Sequence, residues 1–185
     1  MKITLIKQRP SFISVSKTPK LLSLVIVLIF LANFFIFVSP VRGSDPVLIM
    51  PLGDSITRGE DLVGYRRELY VDLKNAGYNV DFVGSLQDGS STGYTFDYDH
   101  EGHGGWSDAM IAGSVFSFLT ANPADIVLLH IGTNGIDPDP NQVRDILDEV
   151  DRFSEDVIVV LARIINRQIP ISEVTEFNDN VEAMA

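Results

Sequence analysis

The 185-residue chain has no cysteine, only three histidines and a single tryptophan. The first absence excludes a disulfide scaffold, a cysteine-ligated metal site and a thiol nucleophile. Base is scarce as well: 14 Lys and Arg face 25 Asp and Glu, for a formal net charge of −11. Six of those bases fall within residues 1–43, which hold no acid, so eight bases face 25 acids in the remainder. A surface that acidic repels phosphate backbones and anionic lipid heads, so nucleic acid is not an expected partner. Neutral ligands suit it better. At 45% hydrophobic residues the chain has ample material for one globular core.

Residues 1–43 read as an address rather than as part of the fold. Lys2, Lys7, Arg9, Lys17 and Lys20 precede an uncharged apolar run from Leu21 to Val38, and then come Ser39, Pro40 and the stretch Val41–Ser44. Basic, apolar, then small is the order of a secretory signal. The run is also just long enough to span a bilayer, so an uncleaved anchor stands as the alternative. Either way the expected location of residues 44–185 is outside the cell, secreted or membrane-anchored, and a membrane is a partner only if the segment stays uncleaved.

Beyond residue 43, apolar periodicity alternates between strand and helix. A short apolar run at 46–51 ends at Gly53 as a strand; a helix over 65–76 carries Leu69, Leu73 and Ala76 and stops at Gly77; a second strand spans 79–84. A polar, Gly-rich loop then fills 85–105. Ser107 is placed to cap a helix running to about Thr120, followed by a strand at 126–131, a turn-rich loop at 132–140, a helix from Asn141, a β-branched strand over 157–165 and a last helix from Ser172. This βαβ-loop-αβαβα order predicts a parallel sheet between helices, a three-layer α/β/α sandwich. The sequence stops at Ala185 inside a helical pattern, with four strands counted where such sheets commonly carry five or six, so the expectation is a domain over 44–185 truncated at its C-terminus.

Sheets of this kind place ligands at the carboxyl ends of their strands. Gly53-Asp54-Ser55-Ile56-Thr57 follows the first strand, with a serine hydroxyl at the turn. Gly132-Thr133-Asn134 follows the third, where an asparagine amide can donate to a developing oxyanion, and Gly104-Gly105 offers bare backbone N–H groups. A nucleophile and two donors thus face one rim. Asp97, Asp99, His100, Glu101 and His103 crowd one loop, but their spacing matches neither a zinc nor a calcium pattern, and no metal is expected. A phosphate cradle after the first strand is missing too, which leaves a nucleotide-binding reading weak.

These blocks carry a resemblance. Pro51–Gly59, Gly64-Tyr65-Arg66, His100-Glu101-Gly102-His103 with Gly105-Trp106, and Leu128–Asn134, in that order, resemble the SGNH (GDSL-like) hydrolase superfamily, and within it the carbohydrate esterases of family three, acetylxylan esterases among them. The resemblance implies a flavodoxin-like α/β fold, no cofactor, and a serine esterase of acylated carbohydrates or small esters. It makes Ser55 the nucleophile and an oxyanion donor through its own N–H, with Gly105 N–H and the Asn134 side chain as the other donors. Trp106 and Tyr94 are candidate platforms for a sugar ring.

The sequence departs from that family at two points. The family's catalytic base is a histidine in an Asp-x-x-His block near the C-terminus, and none of the three histidines here stands in that position. Gly135 occupies a place where the family often has Asp. Asp97–His100 spells Asp-x-x-His but lies upstream of the Gly105 block, so His100 and His103 read as loop-packing residues rather than a replacement base, and His130, inside an apolar strand, as a satisfied core histidine. Export, an esterase impaired by the missing base, and a non-catalytic carbohydrate-binding relic are the expectations that follow.

Overall fold

The computed structural model describes residues 45–59, 61–165 and 172–185. The signal or anchor reading of residues 1–43 falls outside them. Among the described residues no helix is long and apolar enough to cross a membrane.

The elements, in chain order, are β1 (Val47–Gly53), α1 (Ser55–Arg58), α2 (Gly64–Asn75), β2 (Val80–Phe82), β3 (Leu86–Gln87), β4 (Asp99–Gly102), α3 (Asp108–Ala112), α4 (Val115–Ala121), β5 (Ile126–His130), α5 (Asn141–Phe153), β6 (Ile158–Leu161) and α6 (Ser172–Met184). The sheet runs β3-β4-β1-β5-β6, with β2 also beside β1. β1 pairs in parallel with β2 at its start, with β4 at its end and with β5 from Ile49 to Gly53, and β5 pairs in parallel with β6. The α/β sandwich of the sequence reading is therefore present, with one amendment: β3 and β4 are antiparallel, so the sheet is mixed.

Alternation along the strands assigns each face its helices. Met50 and Leu52 of β1 and Val127 and Leu129 of β5 join the core made with Ile111, Val115, Leu119, Val143, Ile146, Val150, Val174 and Phe177, that is, with α3, α4, α5 and α6. Ile49 of β1 turns the other way, with Val80 and Phe82 of β2, against Leu69, Tyr70 and Leu73 of α2. Ile126 and Leu128 lie on this second face too.

Three element boundaries differ from the sequence pattern. The single helix expected over 107–120 breaks at Gly113-Ser114 into α3 and α4, because glycine weakens a helix interior and serine favours a new start. The strand expected to reach Ile165 ends at Leu161. The segment 85–105 is not structureless: β3, a 3-10 turn at Ser90–Thr92 and β4 lie within it, and β4 buries His100, Glu101 and Gly102 although its sequence is polar.

Candidate active site

At the carboxyl end of β1 the backbone passes so close to β5 that a Cβ on Gly53 would lie 2.0 Å from the His130 carbonyl oxygen, so only glycine fits. The chain then turns into α1. Buried Asp54 caps that helix, its Oδ1 accepting from the Ile56 N–H at 2.9 Å, while Oδ2 has no hydrogen-bond partner among the described residues. Ser55 thereby becomes the first residue of α1, where an N–H has no intrahelical acceptor. It lines a cavity of about 480 Å³ with Ile56, Gly59, Asp61, Gly64 and Tyr65.

Two long-range bonds bring the other candidates to this turn. His103 N–H donates to the Gly53 carbonyl at 2.8 Å, seating the Gly104-Gly105 turn against the Ser55 segment. From the β5–α5 loop, Asn134 Nδ2 donates to the Trp106 carbonyl at 2.9 Å, across 28 residues, which leaves its second N–H uncommitted. Gly105 takes φ +81°, a left-handed conformation that favours glycine, and a Cβ there would meet no neighbour; the conformation, not crowding, calls for glycine. Its N–H makes no bond to a described backbone acceptor. Ser55, Gly105 and Asn134 thus belong to one rim built by β1, β4 and β5.

The aromatic candidates part company. Trp106 stacks on His103 at 4.1 Å between ring centroids, and His103 stacks in turn on Phe118 at 4.9 Å. Tyr94 is 49% exposed, takes the Arg67 guanidinium over its ring at 4.2 Å and lines neither cavity adjoining α1.

None of the three histidines hydrogen-bonds Ser55 among the described residues. His100 is fully buried, its Nδ1 accepts from the Gly102 N–H at 2.9 Å, and burial, helped by the Arg66 charge, holds its pKa down to about 4, so it is neutral at pH 7. His103 Nε2 lies 2.8 Å from Glu101 Oε2. His130 is buried as expected, but not satisfied: its Nδ1 has no partner among the described residues. The acidic loop residues are spent locally: Glu101 accepts from Ser85 N–H and hydroxyl, Asp97 from the Phe82 and Asp99 N–H groups, and Asp99 from Gln87.

One residue of the Gly64-Tyr65-Arg66 block has a supporting role that the sequence did not assign. Arg66 is fully buried and donates to five backbone carbonyls, those of Thr57, Arg58, Leu62, Asp88 and Tyr98, at 2.9–3.3 Å. It ties the end of α1 to the loop before α2 and to the β3–β4 segment. Burial pushes its pKa below the usual arginine value. The available signal was its spacing: Arg66 precedes Leu69, Leu73 and Ala76 at helical intervals, which puts a cation on the apolar stripe of α2. Tyr65, beside it, has its hydroxyl 3.5 Å from Thr57 Oγ1, and burial raises its pKa.

No family model matches the sequence. A multidomain esterase of Ruminococcus flavefaciens is 36% identical over 111 residues, which is 49% of this chain but only 14% of that protein. A family 3 carbohydrate esterase of Clostridium thermocellum has the same fold with a TM-score of 0.68 and 30% identity, covering 76% of this chain and 71% of that one. A family 3 carbohydrate esterase of Talaromyces cellulolyticus matches with a TM-score of 0.68 and 28% identity over 74% of this chain and 71% of its own. On this shared fold and sequence, with the Ser55 turn, the Gly105 turn and the Asn134 loop on one rim, the chain belongs to carbohydrate esterase family 3 within the SGNH (GDSL-like) hydrolases.

Proposed function

We propose that residues 44–185 form an exported serine esterase domain that removes acyl groups, acetyl first among them, from a polysaccharide, and that it works slowly because no histidine serves its nucleophile. The observation that carries the reading is the Asn134 Nδ2 bond to the Trp106 carbonyl at 2.9 Å, which gathers two loops beside the Ser55 turn. Ser55 Oγ attacks the ester carbonyl. The oxyanion that develops accepts from Ser55 N–H, Gly105 N–H and Asn134 Nδ2, the sugar hydroxyl leaves with a proton, and water then splits the acyl-serine.

A serine hydroxyl needs a base to give up its proton, and loss of triad members costs about 10⁴- to 10⁶-fold in kcat. His100, His103 and His130 are bonded or buried elsewhere, and no described side chain hydrogen-bonds Ser55 Oγ. That supports an impaired esterase. The same observation favours a second reading, a carbohydrate-binding domain that has given up catalysis. Export rests on the basic, apolar, small order of residues 1–44, whether the segment is then cleaved or kept as an anchor.

Hydrolysis of p-nitrophenyl acetate by the full chain, beside Ser55→Ala, with and without added imidazole, tests this. Once the rate at which imidazole alone hydrolyses the ester is subtracted, imidazole is expected to raise the rate of the native chain and leave the variant unchanged. Asn134→Ala should lower the imidazole-assisted rate about a hundredfold. Equal rates for native chain and Ser55→Ala under both conditions would remove Ser55 as nucleophile and favour the binding domain. A fast rate that imidazole does not raise, and that His103→Ala abolishes, would overturn the missing base.

A further inference from the structure

A second cleft adjoins the Ser55 turn, on the side of α1 that faces β3 and β4. It has a volume of about 330 Å³, and Arg58, Gln87, Asp88, His103, Gly104 and Trp106 are among its walls. Arg58 follows Ser55 by one turn of α1, Gly104 directly precedes Gly105, and Asn134 bonds the Trp106 carbonyl, so the cleft adjoins the segments that carry the nucleophile and the oxyanion donors.

The polar groups of the walls are each half committed. Arg58 Nε is bound to Asp88 Oδ2 at 2.8 Å, leaving the two terminal nitrogens as donors and Asp88 Oδ1 as an acceptor. Gln87 Nε2 donates to Asp99 Oδ1 at 2.6 Å, leaving its carbonyl oxygen as an acceptor. The charge of Arg58 is therefore balanced within the cleft, and His103 Nε2 is bonded to Glu101 Oε2 beneath it. Trp106 supplies an apolar wall, and the stack of Trp106 on His103 on Phe118 fixes its plane before any ligand arrives.

The chemistry of the walls discriminates between ligands. A carboxylate or phosphate wants donors in excess and meets the oxygens of Asp88 and Gln87 instead. An aliphatic group would leave those oxygens buried and unpaired, which is costly. A polyol ring satisfies both, because each hydroxyl donates and accepts, while its C–H face rests on the indole. We infer that this cleft seats the sugar ring that carries the acyl group, and that the Arg58–Asp88 pair makes it select uncharged sugars over uronic acids. The inference rests on the carbohydrate-esterase reading above and names the part of the substrate the second cleft holds.

Trp106 is the only tryptophan of the chain, so its emission reports this cleft alone. The full chain is titrated with xylotetraose and with tetragalacturonate, each variant first checked by circular dichroism. Xylotetraose is expected to shift the emission and saturate, while tetragalacturonate requires at least tenfold more. Asp88→Asn, which frees the Arg58 charge at nearly constant shape, should shrink that ratio to threefold or less. Gln87→Ala, at an exposed strand position, should weaken xylotetraose at least threefold and serves if Asp88→Asn misfolds. A flat titration of the folded native chain with xylotetraose overturns the site, and equal affinity for the two sugars overturns the selectivity. A flat titration alongside Ser55-dependent ester hydrolysis removes the cleft and leaves the esterase standing; saturable binding without such hydrolysis does the reverse.

Discussion

The two faces of the sheet are built from the same kinds of side chain and are treated differently. On one, Met50, Leu52, Val127 and Leu129 are fully buried beneath α3, α4, α5 and α6. On the other, α2 covers β1 and β2, but among the described residues no element covers β5 and β6: Ile158 is 60% and Val160 51% exposed, and an apolar groove of about 400 Å³ runs between Tyr65 and Leu69 of α2 and Leu128 and Val160 of the strands. Alternating apolar residues in β6 therefore stabilise through one side only, since hydrophobic burial depends on the element laid over a strand, not on the strand itself. The rim bearing Ser55, Gly105 and Asn134 stands on the well-covered part and is tied further by Arg66.

The sharpest way to break this comparison is a matched pair of truncations. Leu129→Ala, on the covered face, should lose about 3 to 4 kcal/mol of unfolding free energy, whereas Val160→Ala, on the open face, should lose less than about 0.5 kcal/mol. Urea unfolding followed by circular dichroism reads both, and similar losses would mean that β6 is covered on both sides.

A pH titration sets the rim against both faces. The folded pKa of His100 is about 4, against 6.5 for the free imidazole. Between those values the unfolded chain takes up a proton that the folded chain refuses, so stability falls as pH drops from about 6.5 toward 4 and this contribution levels off below. The fall should be on the order of 3 kcal/mol, and His100→Asn should flatten it. An unchanged slope in that variant would place the acid sensitivity elsewhere.

The smallest expected effect on stability comes from charging the open face. Ile158→Lys with Val160→Lys should leave unfolding free energy within about 0.5 kcal/mol of the native chain while lowering the binding of an apolar dye and the tendency to self-associate. A large loss of stability would show those side chains to be buried in solution.

Most of the fold was legible because apolar spacing survives in the linear sequence. Leu69 and Leu73 of α2, and Val143, Ile146 and Val150 of α5, pack where their periodicity puts them. The β3–β4 pair was not legible. Its strands are two and four residues long, and β4 reads Asp-His-Glu-Gly, a polar string that is buried only because Glu101 meets Ser85 and His103, and His100 meets the Gly102 N–H. The role of Arg66 was hidden for a related reason: a cation on an apolar stripe looks like a breach of pattern until five carbonyls, two from α1 and three from the α1–α2 and β3–β4 connections, surround it.

By itself the sequence determined which side chains are on offer: one serine at a strand end, glycines and an asparagine in the turns that follow, three histidines in other contexts, and strands apolar enough to form a sheet. It could do so because residue type and local spacing are properties of the chain. Tertiary structure alone decided that the Asn134 and Gly105 loops meet beside Ser55, that no histidine bonds Ser55, and that the described residues cover one face of the sheet and only half of the other. Those outcomes depend on groups up to a hundred residues apart arriving at hydrogen-bond or van der Waals distance, and nothing within a single segment encodes that.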